Sequence, residues 1–242
     1  MTLELQKAMI LAAGLGKRMR PLTLTLPKPL IPVAGKPLID WSIDWLVQAG
    51  IKEVIVNTSY LAEPLEDYLS LRKFPPIHFS REEPAPLETG GGIRHALPLM
   101  GTSPFLIMNS DNIYINGATH PVHKLAEQWS DDLDFLMLLF PKAAAIGWSG
   151  NGDFIRDDAG RIRRPSQGED APYIFTGVEV IHPRIFTNCP EGAFSLNWFW
   201  QKLTAADGWI GRVGTLVYDG TWLNVGDLEG LKQSELALKK ML

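Results

Sequence analysis

A chain of 242 residues, 45% hydrophobic and 21% charged, can bury a full core without staples, as one α/β domain or one domain with a small appended lobe. Its formal charge of −4 supplies no basic field, which excludes nucleic acid and anionic membranes as expected partners and leaves any anionic ligand to local features. Cys189 has no second cysteine to pair with, residues 1–7 read as neither signal peptide nor anchor, and no run reaches about 18 apolar residues, so a soluble, cytoplasmic protein is expected.

Residues 8–13 are apolar on both alternations, as in a strand buried between two helix layers, and the run stops at Gly14-Leu15-Gly16. Pro21, Pro27, Pro29, Pro32 and Pro37 then exclude a helix interior. Leu38, Ile39, Trp41, Ile43, Trp45, Leu46 and Ala49 recur at helical spacing before a capping Gly50, and 53–57 reads as the second strand. A helix is expected over 61–69, with Pro64 tolerated near its start, then a short strand over 77–80. A helix begins in 92–97, and 105–108 is a further buried strand ending at Asn109-Ser110-Asp111. A helix over 122–129 and a strand over 134–140 complete a β-α-β rhythm that predicts a mainly parallel, Rossmann-like sheet with helices on both faces. Beyond residue 140 the character changes. Residues 147–164 read as loops and short hairpin strands, 173–181 as a strand, 196–205 as a helix, 216–225 as a strand, and 228–241 as a terminal helix capped by Asp227. No internal repeat interrupts this order.

Open parallel sheets collect ligands beyond their C-terminal strand ends, where this chain places Gly14, Asp111 and Asn224. The segment Ala13-Gly14-Leu15-Gly16-Lys17-Arg18 lets backbone N–H groups approach an anion and adds two positive charges. A dinucleotide fold would want a third glycine where Met19 stands and an acidic residue where Asn57 stands. A P-loop would want Ser or Thr after Gly35-Lys36, and Pro37 stands there. Both readings fail, and a plain strand-to-loop turn stays open as the simple alternative. Prolines on either side of Lys28 stiffen the backbone and aim one ammonium, although a solvated loop lysine has the same sequence. Asp111 at its strand end suits Mg²⁺, or else caps the following segment. His120 and His123 lack the partners zinc requires, and the aromatic run 194–200 is expected to pack a helix.

Together these segments resemble the sugar-1-phosphate nucleotidyltransferases, which open on L-A-A-G-x-G-x-R-M and follow with a P-K-P-L lysine; this chain has both, with Pro32-Val33-Ala34-Gly35-Lys36-Pro37 after them. Through Pro86-Leu87-Glu88-Thr89-Gly90-Gly91-Gly92 and Gly152-Asp153-Phe154 it is most similar to the short N-acetylmuramate-1-phosphate uridylyltransferases of cell-wall recycling, with mannose-1-phosphate guanylyltransferases the next likeness. The resemblance implies a GT-A-like α/β fold, with a nucleotide-binding core over about residues 1–140 and a small mixed α+β lobe on the sugar side over about 141–242. It implies transfer of a nucleotidyl group from a triphosphate, UTP by the leading reading, to a sugar-1-phosphate, by a monomer or homodimer.

The residue roles it implies are these. Ala13, Gly14, Gly16, Lys17 and Arg18 hold the triphosphate, and Lys28 sits on the α-phosphate or the incoming sugar phosphate. The segment 87–91, with Glu88, Thr89 and Gly90, meets the nucleobase, its glycines leaving room for a flat ring. Arg18, Lys28 and Asp111 carry the catalysis. Asn109, Asp153, Gly177 and Glu179 face the sugar; an exposed strand face is the alternative for Glu179. Asp111 and Asn224 hold Mg²⁺. The family's W-x-D-V-G-T has an aspartate where Trp222-Leu223-Asn224 has an amide, and Ser110 replaces the usual glycine before Asp111. Asn224 motivates the rival class, a non-catalytic nucleotide-binding subunit. The length leaves no room for the β-helix domain of longer relatives, so acetyltransfer is not expected.

Overall fold

The computed structural model describes residues 3–205, 207–208 and 210–241, so the reading of residues 1–7 falls in part outside the described residues. In chain order the elements are β1 (Lys7–Leu11), β2 (Pro32–Val33), β3 (Lys36–Pro37), α1 (Leu38–Gln48), β4 (Glu53–Thr58), α2 (Ala62–Ser70), β5 (Ile77–Arg81), α3 (Glu88–Met100), β6 (Phe105–Asn109) and β7 (Asn112–Ile115). They continue with α4 (Pro121–Gln128), β8 (Phe135–Pro141), β9 (Ile155–Arg156), β10 (Ile162–Arg163), β11 (Tyr173–Ile181), α5 (Asn197–Lys202), β12 (Val213–Val217), β13 (Thr221–Asn224) and α6 (Leu228–Met241). Short 3-10 turns occupy Lys17–Met19 and Lys28–Leu30.

Seven strands form one sheet in the order β12-β8-β11-β6-β1-β4-β5. β6, β1, β4 and β5 are mutually parallel, as is β12 with β8, while β11 runs antiparallel between β6 and β8. The α/β, mainly parallel expectation therefore holds, with one reversed strand inserted. Alternation decides the two faces. Ala8, Ile10, Val54, Val56, Leu106 and Met108 pack beneath α1, α2 and α4, while Met9, Ile55, Phe105 and Ile107 pack beneath α3 and α5. Strands covered on both sides read as unbroken apolar runs, which is why they were visible in the sequence.

A third cluster lies off the sheet: Met19, Ile31, Val33, Leu38, Ile113, Leu223, Val225 and Leu238. It joins the turn after β1 to the β7–β13 ribbon and to α6. Each such side chain removed from water contributes about 1.5–3 kcal/mol, so burial of Met19 anchors the turn to this cluster.

Four boundaries differ from the sequence expectation by more than one residue. β1 stops at Leu11, not 13, because the Ala12 N–H leaves the ladder for Asn57 Oδ1 at 2.7 Å. α3 begins at Glu88, four residues before 92. α5 covers six residues of the ten expected, and the chain then turns back through the Thr204–Ile210 bridge. The strand over 216–225 is two strands in two sheets, β12 and β13, broken at Gly220, where a Cβ would lie 2.3 Å from the Ile115 carbonyl oxygen.

Candidate active site

Leaving β1, the chain passes through Ala12 and Ala13, both buried, and reaches Gly14, where a Cβ would meet no protein atom within 4 Å. Gly16 is different. Its φ is +58°, and a Cβ there would press on Thr23 Cγ2 at 2.8 Å and Lys28 Cβ at 3.2 Å. Only glycine fits the left-handed turn without displacing them. The Thr23 hydroxyl donates to the Gly16 carbonyl at 2.8 Å, and Met19 is buried in the third cluster, so the turn is pinned from both sides. Lys17 and Arg18, between these anchors, stay exposed.

Lys28 lies next to this turn. Its Nζ donates to Asp111 Oδ2 at 2.6 Å, the two side chains being 12% and 23% exposed. Asp111 follows β6, and its backbone oxygen accepts the Val225 N–H at 2.9 Å, which brings the end of β13 beside it. Asn112 and Asn224 face each other across β7 and β13; Asn224 Nδ2 donates to Asn112 Oδ1 at 2.8 Å, and Asn112 Nδ2 donates to Asp111 Oδ1 at 3.1 Å. Asn224 Oδ1 accepts no hydrogen bond among the described residues and lies 2.6 Å from where a Cβ on Gly226 would stand.

The opposite wall rests on a buried relay. Asn57 Oδ1 accepts the Ala12 N–H, Asn57 Nδ2 donates to Glu82 Oε1 at 2.7 Å, and Glu82 Oε2 accepts the Leu87 N–H at 2.6 Å. The relay ties the glycine turn to the start of α3, where Glu88 is held at φ +58°. Such backbone strain in a non-glycine residue costs about 1–2 kcal/mol and persists only where the surroundings enforce it.

The turn, Lys28, Asp111 and the start of α3 enclose one cavity of about 360 Å³. Ala13, Gly14, Gly16, Lys17, Arg18, Lys28, Glu88, Thr89, Asn109 and Asp111 all line it. Backbone N–H groups, three cationic side chains and the carboxyl groups of Glu82, Glu88 and Asp111 thus border a space of ligand size.

Residues 7–163 match the nucleotidyl transferase family. The chain belongs to that family. It is 40% identical over 236 residues to the N-acetylmuramate alpha-1-phosphate uridylyltransferase of Caulobacter vibrioides, covering 96% of each chain. Its similarity to the mannose-1-phosphate guanyltransferase of Hypocrea jecorina, 42% identity, extends over 44% of this chain and 30% of that one. In fold it is similar to the inositol-1-phosphate CTP transferase of T. maritima, with a TM-score of 0.78 at 17% identity, over 99% of this chain and 97% of that one.

Five residues expected at the site do not line the cavity of this nucleotidyltransferase. Gly90 packs beneath Phe194, whose ring a Cβ would meet at 2.4 Å; Gly91 and Gly92 are as tightly covered, by the Gly192 carbonyl and by Glu82. These glycines admit protein, not the flat ring expected of them. Glu179 is corrected outright: it is wholly buried in the sheet, between Ile107 and Met137, and neither carboxylate oxygen has a partner among the described residues. Burial pushes its pKa up to about 8. It faces neither sugar nor solvent, because the face of β11 that it shares with Phe175 and Ile181 is covered by α3 and α5. Gly177 touches the Asn109 side chain from behind, a Cβ there lying 2.6 Å from Asn109 Nδ2. Asp153 stands above the sheet edge, bonded to the Phe175 N–H at 3.0 Å, and burial raises its pKa. Asn224 sits one layer behind Gly226.

Sequence reasoning missed Asn57 and Glu82. Asn57 carried a signal, a polar residue closing an apolar strand; Glu82 carried none. The histidines are structural, as expected. His120 Nδ1 caps α4 by accepting the Val122 N–H, and its Nε2 and that of His123 lie 3.0 and 3.1 Å from the Trp45 and Ala49 carbonyl oxygens. Cys189 Sγ donates to the Phe186 carbonyl. Asp227 caps α6 through the Gly230 N–H.

Proposed function

We propose that this enzyme transfers the uridylyl group of UTP to N-acetylmuramate α-1-phosphate, releasing pyrophosphate. The observation that carries the reading is the single cavity shared by the Gly14–Arg18 turn, Lys28 and Asp111. It is supported by the near full-length similarity to a uridylyltransferase of that acceptor, against similarities to mannose-1-phosphate guanyltransferases that cover 44% and 50% of the chain.

An acceptor phosphate oxygen attacks the α-phosphorus. The bond from that phosphorus to the bridging oxygen breaks, and pyrophosphate leaves with the electron pair. No covalent intermediate is required, so the protein's work is alignment and neutralisation of charge. Backbone N–H groups from Ala13 to Gly16 and the side chains of Lys17 and Arg18 receive the triphosphate tail. Lys28 lies where the α-phosphate and the acceptor phosphate meet, its ammonium held ready by Asp111. The start of α3, with Glu88 and Thr89, borders the base, and Asn109 borders the sugar.

The donor chemistry fits Mg²⁺: the Asp111 carboxylate supplies charge, and Asn224 Oδ1, free of donors among the described residues, supplies a neutral oxygen next to side-chain-free Gly226. When bound, the ion would neutralise phosphate charge, drawing most of its ligands from water and phosphate. Among the described residues no group of three or more His, Cys, Asp or Glu could hold a metal, so two protein ligands are the whole proposed set.

The test is pyrophosphate release from a matrix of triphosphates and sugar-1-phosphates with Mg²⁺. UTP with N-acetylmuramate 1-phosphate is expected to give the highest kcat/KM. Preference for GTP with mannose 1-phosphate would replace the reading with the guanylyl one, and nucleotide binding without turnover on any pair would return the chain to the non-catalytic class.

A further inference from the structure

β11 reaches farther than its neighbour. Its register with β6 runs from Ile181 opposite Phe105 to Val178 opposite Met108, and β6 ends one residue later at Asn109. Residues 173–175 therefore run past the end of β6 while still paired with Leu139 to Pro141 of β8, on the side where the cavity opens. They carry a second polar constellation. The Asp153 N–H donates to the Tyr173 carbonyl at 2.8 Å, and Asp153 Oδ2 accepts the Phe175 N–H at 3.0 Å. So anchored, Asp153 presents its carbonyl oxygen to Arg164 Nη1 at 3.2 Å, with Oδ1 at 3.6 Å, while Arg164 Nη2 donates to Asn197 Oδ1.

The guanidinium of Arg164 lies 4.4 Å over the Phe154 ring and 5.2 Å from the Trp200 ring. Its side chain is nevertheless 40% exposed, and its Nε–H has no acceptor among the described residues. One face rests on aromatic rings and the other is open. A planar fork with its orientation fixed in this way is suited to bidentate capture of an oxyanion. Two lines of contact lead from it to the cavity. Asn197 follows Leu196, whose N–H is held by the cavity residue Thr89 at 2.9 Å; Phe175 precedes by two residues Gly177, which backs the cavity residue Asn109. Arg164 is not part of the cavity lining, so it stands off from the phosphates gathered by Lys17, Arg18 and Lys28.

We infer that Arg164, oriented by Asp153 and Asn197, receives a carboxylate carried by the acceptor sugar, and so selects acidic sugar phosphates over neutral ones. The inference rests on the proposed transfer reading and adds a specificity-determining residue to it. A neutral hexose phosphate leaves the Nε–H of Arg164 without an acceptor; an acceptor with a carboxylate on an ether arm supplies one through a charge-assisted hydrogen bond.

The test compares N-acetylmuramate 1-phosphate with N-acetylglucosamine 1-phosphate, which lacks only the lactyl carboxylate arm, on the full chain. R164Q is expected to lower kcat/KM for the acidic acceptor about 10- to 100-fold, mainly through KM, and to leave the neutral acceptor unchanged. R164K is expected to recover part of the preference. Titration calorimetry of both acceptors reads the same difference as affinity without turnover, so absence of pyrophosphate release sinks the transfer reading alone. Should R164Q not fold, N197A, a change at an exposed residue, is expected to weaken the preference in the same direction. Equal loss on both acceptors, which would place Arg164 on the shared phosphate, or a wild type without preference, overturns the inference.

Discussion

Lys28 and Asp111, 83 positions apart, meet at 2.6 Å, and the proposed chemistry of the cavity turns on that pair. Asp111→Asn keeps the shape and removes the charge. It is expected to lower kcat at least about 10³-fold with little change in melting temperature, as assayed by pyrophosphate release and circular dichroism. Asn224→Asp restores a charge beside Asp111, and activity at limiting Mg²⁺ is expected to be retained or raised; loss of activity across the whole Mg²⁺ titration would show that the amide is not a simple ligand variant. Glu179 has a different consequence. Its pKa of about 8 in the folded chain exceeds the ordinary 4.5, so the folded state holds the proton more tightly than the unfolded state. Below 4.5 there is no penalty, stability falls as pH rises from there, and above about 8 the loss is complete. Glu179→Gln is expected to flatten the dependence of melting temperature on pH across that window.

At the scale of elements, the start of α3 is where local and tertiary demands diverge most. Three successive glycines, and Pro98 further on, disfavour a helix, which is why the sequence placed its start at 92. Glycine is required at 90–92 because Phe194, Gly192 and Glu82 lie too close for any side chain, and two of these three neighbours come from far along the chain. Gly92→Ala would put a Cβ 2.4 Å from Glu82 Oε1 and break the relay through Asn57. It is expected to cost about 1–3 kcal/mol in urea unfolding and to raise the KM for nucleotide. The same divide runs through the site. Gly14, Gly16, Lys28 and Asp111 were legible because strand ends and stiffened loops announce ligands locally. Their partners were not: Asn57 showed only as a polar residue closing an apolar strand and Glu82 not at all, since a relay spanning 45 and 25 positions leaves its connections unmarked locally. Glu179 misled because an alternating strand does not show that both of its faces are covered, and α3 and α5 bury the face that Glu179 takes.

Across the whole molecule, α6 supports the cavity without lining it. Leu238 shares a cluster with Met19 of the glycine turn and with Leu223 and Val225 beside Asp111. Leu238→Ala is expected to destabilise the chain by about 2–5 kcal/mol and to weaken nucleotide binding more than a surface change of equal cost, as read by unfolding and titration calorimetry. The cavity itself borrows from both extremities, from Leu11 near one end to Gly226 near the other. A nucleotide seated there closes the chain like a clasp, drawing its first strand and its closing ribbon into one cooperative unit. Occupancy at a hundred times the dissociation constant adds about 2.7 kcal/mol to that unit, so saturating nucleotide protects both extremities from protease together, although they share no strand pairing.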